Sequence, residues 1–300
     1  MADDPLPALE GKTPLQFANK PDIDALAARA EVGLCRTVPA GFKPGSDVAN
    51  LSVMGYDPHE CYTGRSPLEA VSIGINLAPT DVTLRCNLVT LSDEANYADK
   101  TMLDYSAGEI STAEAGELIA FLKKEFDDEK FTLYPGVSYR HCLVVKEGET
   151  GHELTPPHDI TGKPVRNFLP QGPLGKVYLS MMERSAALLA DHPVNRARIA
   201  AGKRPANSVW FWGEGTKPQL ENFEKKFGKK GAVISAVDLV KGIGILAGMK
   251  VIDVPGATGN YDTNFAGKAD AALHAPRRDR FRVRPHGSAR RMRTPGRHRA

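Results

Sequence analysis

The sequence predicts an α/β protein with a mostly parallel sheet, and three stretches carry that expectation. Residues 81–90 (DVTLRCNLVT) are rich in β-branched and apolar residues and run out into the polar LSDE, as a buried strand does. Residues 111–126 (STAEAGELIAFLKKEF) open with a Ser-Thr cap signal, keep a helical apolar period and end on Lys123 and Lys124. Residues 232–254 pass from strand to helix to strand period, the pattern of a βαβ unit whose strands run parallel.

The remaining elements fall in order around these three. The first 75 residues read as loops and short helices punctuated by Gly and Pro, with one amphipathic helix over 21–30 whose apolar face is Ile23, Leu26 and Ala27. Phe131–Tyr134 and Tyr139–Lys146 read as strands about a Pro135-Gly136 turn. Residues 154–174 hold five prolines and little periodicity, so they form a loop. Residues 174–190 return to a helical period. No internal repeat is visible.

Bulk properties exclude several classes of function. Three hundred residues suffice for two domains with real cores, and 41% hydrophobic with 25% charged residues is ordinary for a soluble globular chain. No stretch approaches the ~18 consecutive apolar residues of a membrane span. The opening Met1-Ala2-Asp3-Asp4-Pro5 has neither a basic nor an apolar leader region, so secretion is not indicated and a cytoplasmic location is the expectation. Cys35, Cys61, Cys86 and Cys142 are widely spaced and form no C-x-x-C pair, so reduced thiols are expected. Residues 276–300 carry ten arginines against one acid, Asp279, a balance of +9 that leaves −6 on the rest of a chain with a formal charge of +3. The body therefore offers no nucleic-acid surface. The tail has no aromatic interleaving beyond Phe281.

The sharpest local feature is PGSDVANLS, residues 44–52. A serine between Gly45 and Asp47, ahead of a short apolar run, suits a nucleophile at a helix N-terminus, where free N–H groups and the dipole favour a phosphate. An ordinary Ser/Asp helix cap gives the same text.

A longer set of segments bears on that choice. PGSDVANLSVMGYDP, YTGRSPLEA (62–70), RCNLVT (85–90), SYRH (138–141), PPHDITGK (156–163), HPVN (192–195), WFWGEG (210–215) and VPGATGNYDTNFAGKA (254–269) occur in this order. The run resembles the archaeal-type, cofactor-independent phosphoglycerate mutases of the alkaline-phosphatase superfamily, over about residues 1–275. The resemblance implies an alkaline-phosphatase-like core (1–77 and 206–275) with a smaller α/β domain inserted at 78–205 and a return hinge at Pro205-Ala206. It implies interconversion of 3-phosphoglycerate and 2-phosphoglycerate through a phosphoserine. Ser46 would be the nucleophile and a metal ligand, and Lys268 the lysine near the phosphoserine. Arg85, Arg140 and His141 would hold the substrate's phosphate and carboxylate, a task that suits the bidentate guanidinium fork. His158-Asp159 reads as a loop-stabilising pair or a ligand pair. The cofactors implied are divalent manganese, magnesium or zinc.

Two parts of the family pattern are missing. The family opens with a strand leading into a D-G-M-A-D-like turn that holds a metal ligand, and this chain matches only the end of that turn. After Ala275 the family continues into an E-A-P-D-E…G-H segment, whereas this chain becomes arginine-rich. With suitable synonymous codons, residues 281–295 read one nucleotide later give F-V-Y-V-H-M-E-A-P-D-E-C-G-H. The expectation is therefore an out-of-frame tail from about Pro276, with Ser46 alone left of the metal ligands and the chain as written inactive. Another phosphomutase or phosphatase of the superfamily, or a remnant with a basic nucleic-acid-binding tail, are the other readings.

Overall fold

Burial on both faces explains the central strand. The computed structural model describes residues 4–259 and 262–275, and its central strand β1 (Val82–Leu91) is buried at every one of its ten positions. Successive side chains of a strand point to opposite faces. Val82, Leu84, Cys86 and Leu88 therefore enter one apolar layer, and Thr83, Arg85 and Asn87 lie on the other face. The near-continuous apolar text of residues 82–91 reflects cover on both sides.

Two compact units make up the chain, residues 1–43 and 44–300. In the first, α1 (Pro14–Phe17) starts from a capping box in which Thr13 and Gln16 each accept the other's backbone N–H. The helix predicted from residue 21 forms as α2 (Pro21–Ala27), but its apolar face is not covered: Ile23 and Leu26 are 57% and 62% exposed.

The second unit begins with three short helices, α3 (Ser46–Val53), α4 (Pro58–Cys61) and α5 (Ser66–Ser72). After β1 come β2 (Met102–Asp104), α6 (Thr112–Phe126), β3 (Phe131–Tyr134) and β4 (Arg140–Val145). Then follow α7 (Gly175–Leu189), α8 (Pro193–Ala200), β5 (Ser208–Thr216) and α9 (Phe223–Phe227). Finally come β6 (Ala232–Val233), α10 (Asp238–Leu246), β7 (Lys250–Val251) and α11 (Phe265–His274). No helix among the described residues is long and apolar enough to cross a membrane.

The expectation of a mostly parallel sheet is corrected for the larger sheet. Its order is β2-β1-β4-β3, with β5 also on β1, and every pairing is antiparallel. The link from β3 to β4 is five residues (135–139), too short for the crossover that parallel neighbours need. Among the described residues only β6 and β7, joined through α10, pair in parallel, as the late alternation predicts. β5 lies beyond the hinge expected at residue 205, yet it pairs with β1 from Val82 to Val89 and so completes the sheet of the 78–205 segment.

One face of this sheet packs on α6 and α7. The apolar stripe of α6 is Ala115, Leu118, Ile119, Leu122 and Phe126, at the spacing of a single helix face. Its start is fixed by Ser111, whose hydroxyl accepts the Glu114 N–H at 3.3 Å while Glu114 accepts the Ser111 N–H at 3.2 Å. Each Leu or Val fully buried in such a layer contributes roughly 1.5–3 kcal/mol. The other face meets α5 through Ala70, Cys142 and Val144.

A second core joins α3, α4, α5 and α10 through Leu51, Cys61, Leu68, Leu239 and Ile243. At its centre α10 approaches α5 so closely that a Cβ on Gly242 would lie 1.7 Å from the Leu68 carbonyl oxygen. Glycine is what allows the two backbones to meet. The prolines of 154–174 set two 3-10 turns, Pro157–Ile160 and Val165–Phe168, in an otherwise irregular segment.

Candidate functional site

Ser46 is the first residue of α3, and Gly45 caps the helix without a side-chain bond. A Cβ at residue 45 would stand 2.3 Å from the Asp47 carboxylate, so the turn needs glycine there. Asp47 is buried and fully engaged: one oxygen accepts the Val48 N–H at 3.0 Å, the other the Tyr62 hydroxyl at 2.5 Å. Burial, with Asp47 as acceptor, raises the Tyr62 pKa, so its hydroxyl keeps the proton. The Ser46 hydroxyl is exposed and caps nothing; its carbonyl accepts from Asn50 Nδ2 at 2.7 Å. Of the two readings of PGSD, the ordinary serine cap is not what the helix uses.

Lys268 lies on α11, half-buried, with its Nζ donating to the Thr258 carbonyl at 3.0 Å. It ties the 254–259 turn to the helix. No hydrogen bond or ion pair joins it to Ser46 among the described residues.

Arg85 and Arg140 come together. Register pairs Asn87 with Arg140 and Arg85 with Cys142, which puts both arginines on the α5 face of the sheet. There they line a pocket with Arg65, Glu69 and Asp238, walled in part by Ile73, Val137 and Val237. Glu69 bridges two of the cations: one oxygen lies 2.9 Å from Arg65 Nε, the other 2.8 Å from Arg85 Nε. Both arginines thus commit Nε, and no acceptor is seated on their terminal nitrogens among the described residues. Arg85 stacks over the Trp212 ring at 4.2 Å, and Trp212 in turn donates to Asn87 at 2.9 Å. Burial pulls the Arg85 pKa down to about 10 against the opposing pull of Glu69, so the side chain stays charged at neutral pH. Arg140 is exposed, with its guanidinium 5.4 Å from the Tyr139 ring.

The register sets His141 apart from the two arginines. It borders the same pocket, but register pairs it with Cys86, on the face that carries Leu84 and Leu143 rather than Arg85. Adjacent strand residues cannot share a face. Its Nδ1 accepts the Gly136 N–H at 3.0 Å, which places the proton on Nε2, a buried atom with no partner. Burial lowers its pKa to about 3 and keeps the ring neutral. It is a core histidine that fixes the turn ahead of Arg140. His158 is likewise a packing residue: its ring meets Trp212 at 5.2 Å and Tyr105 at 6.0 Å.

Three pocket residues went unpredicted. Arg65 and Glu69 belong to the YTGRSPLEA segment, and their i,i+4 spacing on a helix was the available signal. Asp238 reads as an ordinary first-turn acid of α10.

The implied metal finds no matching donor set. Among the described residues no group of three or more His, Cys, Asp or Glu side chains could hold an ion. Asp47, the carboxylate beside Ser46, already serves Tyr62 and its own turn. A pair of hard divalent cations needs several oxygen or imidazole ligands, so these residues do not fit one. The residues expected as an out-of-frame tail lie outside those described. All four cysteines are free thiols, three of them buried.

Known proteins align with this arrangement. The sequence profile of the 2,3-bisphosphoglycerate-independent phosphoglycerate mutases matches residues 27–195. Enzymes of that name from Methanothrix thermoacetophila and Methanosarcina acetivorans are each 52% identical, over 92% of this chain and 68% of their own length. The solved structure of the PH0037 protein from Pyrococcus horikoshii superposes with a TM-score of 0.72 at 29% identity, covering 91% of this chain and 64% of that one. The cofactor-independent phosphoglycerate mutase from Thermoplasma acidophilum superposes with a TM-score of 0.54 at 28% identity, over 91% and 71%. The chain spans about two thirds of the length of these relatives, 64% to 71%. At 52% identity over nine tenths of its sequence, it belongs to the 2,3-bisphosphoglycerate-independent phosphoglycerate mutase family.

Proposed function

We propose that the protein's reaction is the interconversion of 3-phosphoglycerate and 2-phosphoglycerate, in cytoplasmic glycolysis, with Ser46 as phosphoryl acceptor, and that this chain keeps the substrate pocket without the metal-dependent turnover. The observation that carries this reading is the pocket of Arg65, Arg85 and Arg140. The two arginines held by Glu69 keep their terminal nitrogens uncommitted, in the planar geometry that suits phosphate and carboxylate oxygens. Stacking on Trp212 fixes the Arg85 fork before a ligand arrives.

Ser46 suits its role because its hydroxyl is exposed at the positive end of α3, where the first amides have no intrahelical acceptor. Lys268 belongs to the proposal as the lysine beside the phosphoserine; its bond to Thr258 uses one of three donors. In the same proposal the layer of α3, α5 and α10 with β6 and β7 is the alkaline-phosphatase-like core, and the antiparallel sheet is the inserted domain. Divalent manganese, magnesium or zinc is the family's expected cofactor, but no step is assigned to it here because the donor set does not match.

Binding and turnover are separable, and the test measures both. Calorimetric titration of the purified chain with 3-phosphoglycerate should give a dissociation constant that weakens at least roughly tenfold in Arg85→Ala, the loss of charge-assisted bonds. Coupled detection of 2-phosphoglycerate, with manganese present, should show no turnover. Turnover by the purified wild type would show that the metal donors are not missing, and a folded wild type that binds no phosphoglycerate overturns the reading.

A further inference from the structure

The arginine pocket is rich in donors and nearly bare of acceptors. Arg65 and Arg85 offer their terminal nitrogens, and Arg140 offers a whole guanidinium with no hydrogen bond among the described residues. Of the side-chain acceptors in the wall, Glu69 divides its two oxygens between Arg65 and Arg85. The Ser66 hydroxyl is buried 3.9 Å from Cys142 Sγ. Asp238 remains. It is the first residue of α10, lines the pocket, and takes no hydrogen bond or ion pair from any described residue. The Arg140 and Arg85 cations pull its pKa down, Lys241 does the same, and Glu69 pushes it up; burial outweighs them and raises it. Lys241 is occupied elsewhere, 2.6 Å from Asp253. A half-buried carboxylate with no donor has lost solvation and gained in exchange only the field of nearby cations.

We propose that Asp238 is the hydroxyl-recognising group of this pocket, the acceptor that distinguishes a hydroxylated phosphocarboxylate from one without the hydroxyl. The inference rests on the reading of the pocket as a phosphoglycerate site and goes further. Arginines hold oxyanions and can donate to a hydroxyl oxygen, but they cannot accept a hydrogen bond, so they leave the hydroxyl's proton unread. A glycerate hydroxyl is a donor, and Asp238 is the uncommitted side-chain acceptor on the wall. A site that hydrogen-bonds a hydroxyl discriminates strongly against the analogue that lacks it, because the site's own group is left unpaired.

The experiment compares 3-phosphoglycerate with 3-phosphonooxypropanoate, which keeps both anions and lacks the hydroxyl, by calorimetric titration of the full chain. Wild type should prefer 3-phosphoglycerate by roughly 10- to 100-fold, the range of one hydrogen bond to a charged acceptor. Asp238→Ala should bind the two ligands equally, and Asp238→Asn, which keeps a neutral acceptor oxygen, should restore part of the preference. If wild type binds both ligands with equal affinity, or if Asp238→Ala keeps the preference, Asp238 does not read the hydroxyl, while the arginine pocket stands. If wild type binds neither, the phosphoglycerate reading falls and takes this inference with it. The wild-type comparison decides the matter even where a variant folds poorly.

Discussion

His141 should make the stability of this protein depend on pH in a way that one substitution removes. In the folded chain its ring is buried and neutral, with a pKa lowered to about 3 by burial, whereas an unfolded chain titrates it near its ordinary value of 6.5. Between those values the unfolded state binds a proton that the folded state refuses, so stability rises with pH. The contribution is fully present above pH 6.5 and is lost as pH falls toward 3. Each pH unit inside that window is worth up to about 1.4 kcal/mol. Moving from pH 7.5 to pH 5.5 should therefore remove about 1.4 kcal/mol through this one residue. His141→Asn keeps an acceptor for the Gly136 N–H and has no titrating ring. Urea unfolding of both proteins at the two pH values gives the comparison, since the other histidines act equally in each. The wild type should lose about 1.4 kcal/mol more than the variant on acidification. Equal losses would show that the ring is not buried neutral and would refute the placement of His141 on the core face.

Two further perturbations address the pocket and the layer beneath it. Glu69→Ala strips both arginines of their partner and leaves Arg85, whose side chain is 7% exposed, as an unpaired buried cation. The cost should be about 2–4 kcal/mol, somewhat below a fully buried pair because Glu69 is 20% exposed and Trp212 still covers the guanidinium; chemical denaturation measures it, and a loss under roughly 0.5 kcal/mol would mean that the bridge is ornamental. Gly242→Ala drives a methyl group into the Leu68 carbonyl and should force α5 and α10 apart, at a cost of about 1–3 kcal/mol; thermal melting reads the loss, and an unchanged midpoint would show that the two helices are not in backbone contact.

Local chemistry was the most legible part of the sequence. The capping box at Ser111 and Glu114, the stripe of α6 and the apolar run of β1 are encoded within a few residues of themselves, and the observed elements begin and end close to where the text places them. The parallel pairing of β6 with β7 was likewise readable, because a helix separates the two strands. The direction of the larger sheet depends on which strands meet at long range. The pairing of β5 with β1, from Val89 with Ser208 to Val82 with Thr216, is far too long-range to have a local signature. The pocket shows the same division. Arg85 and Arg140 share a face through a register that only the folded sheet reveals. His141 shows the opposite lesson: its adjacency to Arg140 in a strand already forbade both from facing the same way. Glu69 and Asp238 escaped notice because a helical acid is usually a solvated one, and what distinguishes them is the company of Arg85 and Arg140, brought in from β1 and β4 beside Arg65.

The alternation of β1 sets how this protein tolerates changes in length. Arg85 stands between Leu84 and Cys86, both fully buried on the opposite face. Substitution within the apolar face alters packing by increments, but loss or gain of a single residue upstream in the strand reverses every side chain beyond it. Leu84 or Cys86 would then meet Glu69, and the guanidinium would be driven in among Leu118, Leu122 and Met182 of the helical layer. A two-residue change keeps the parity and moves the pattern along the strand instead. Relatives that vary in length should therefore do so outside residues 82–91, or within them by even steps.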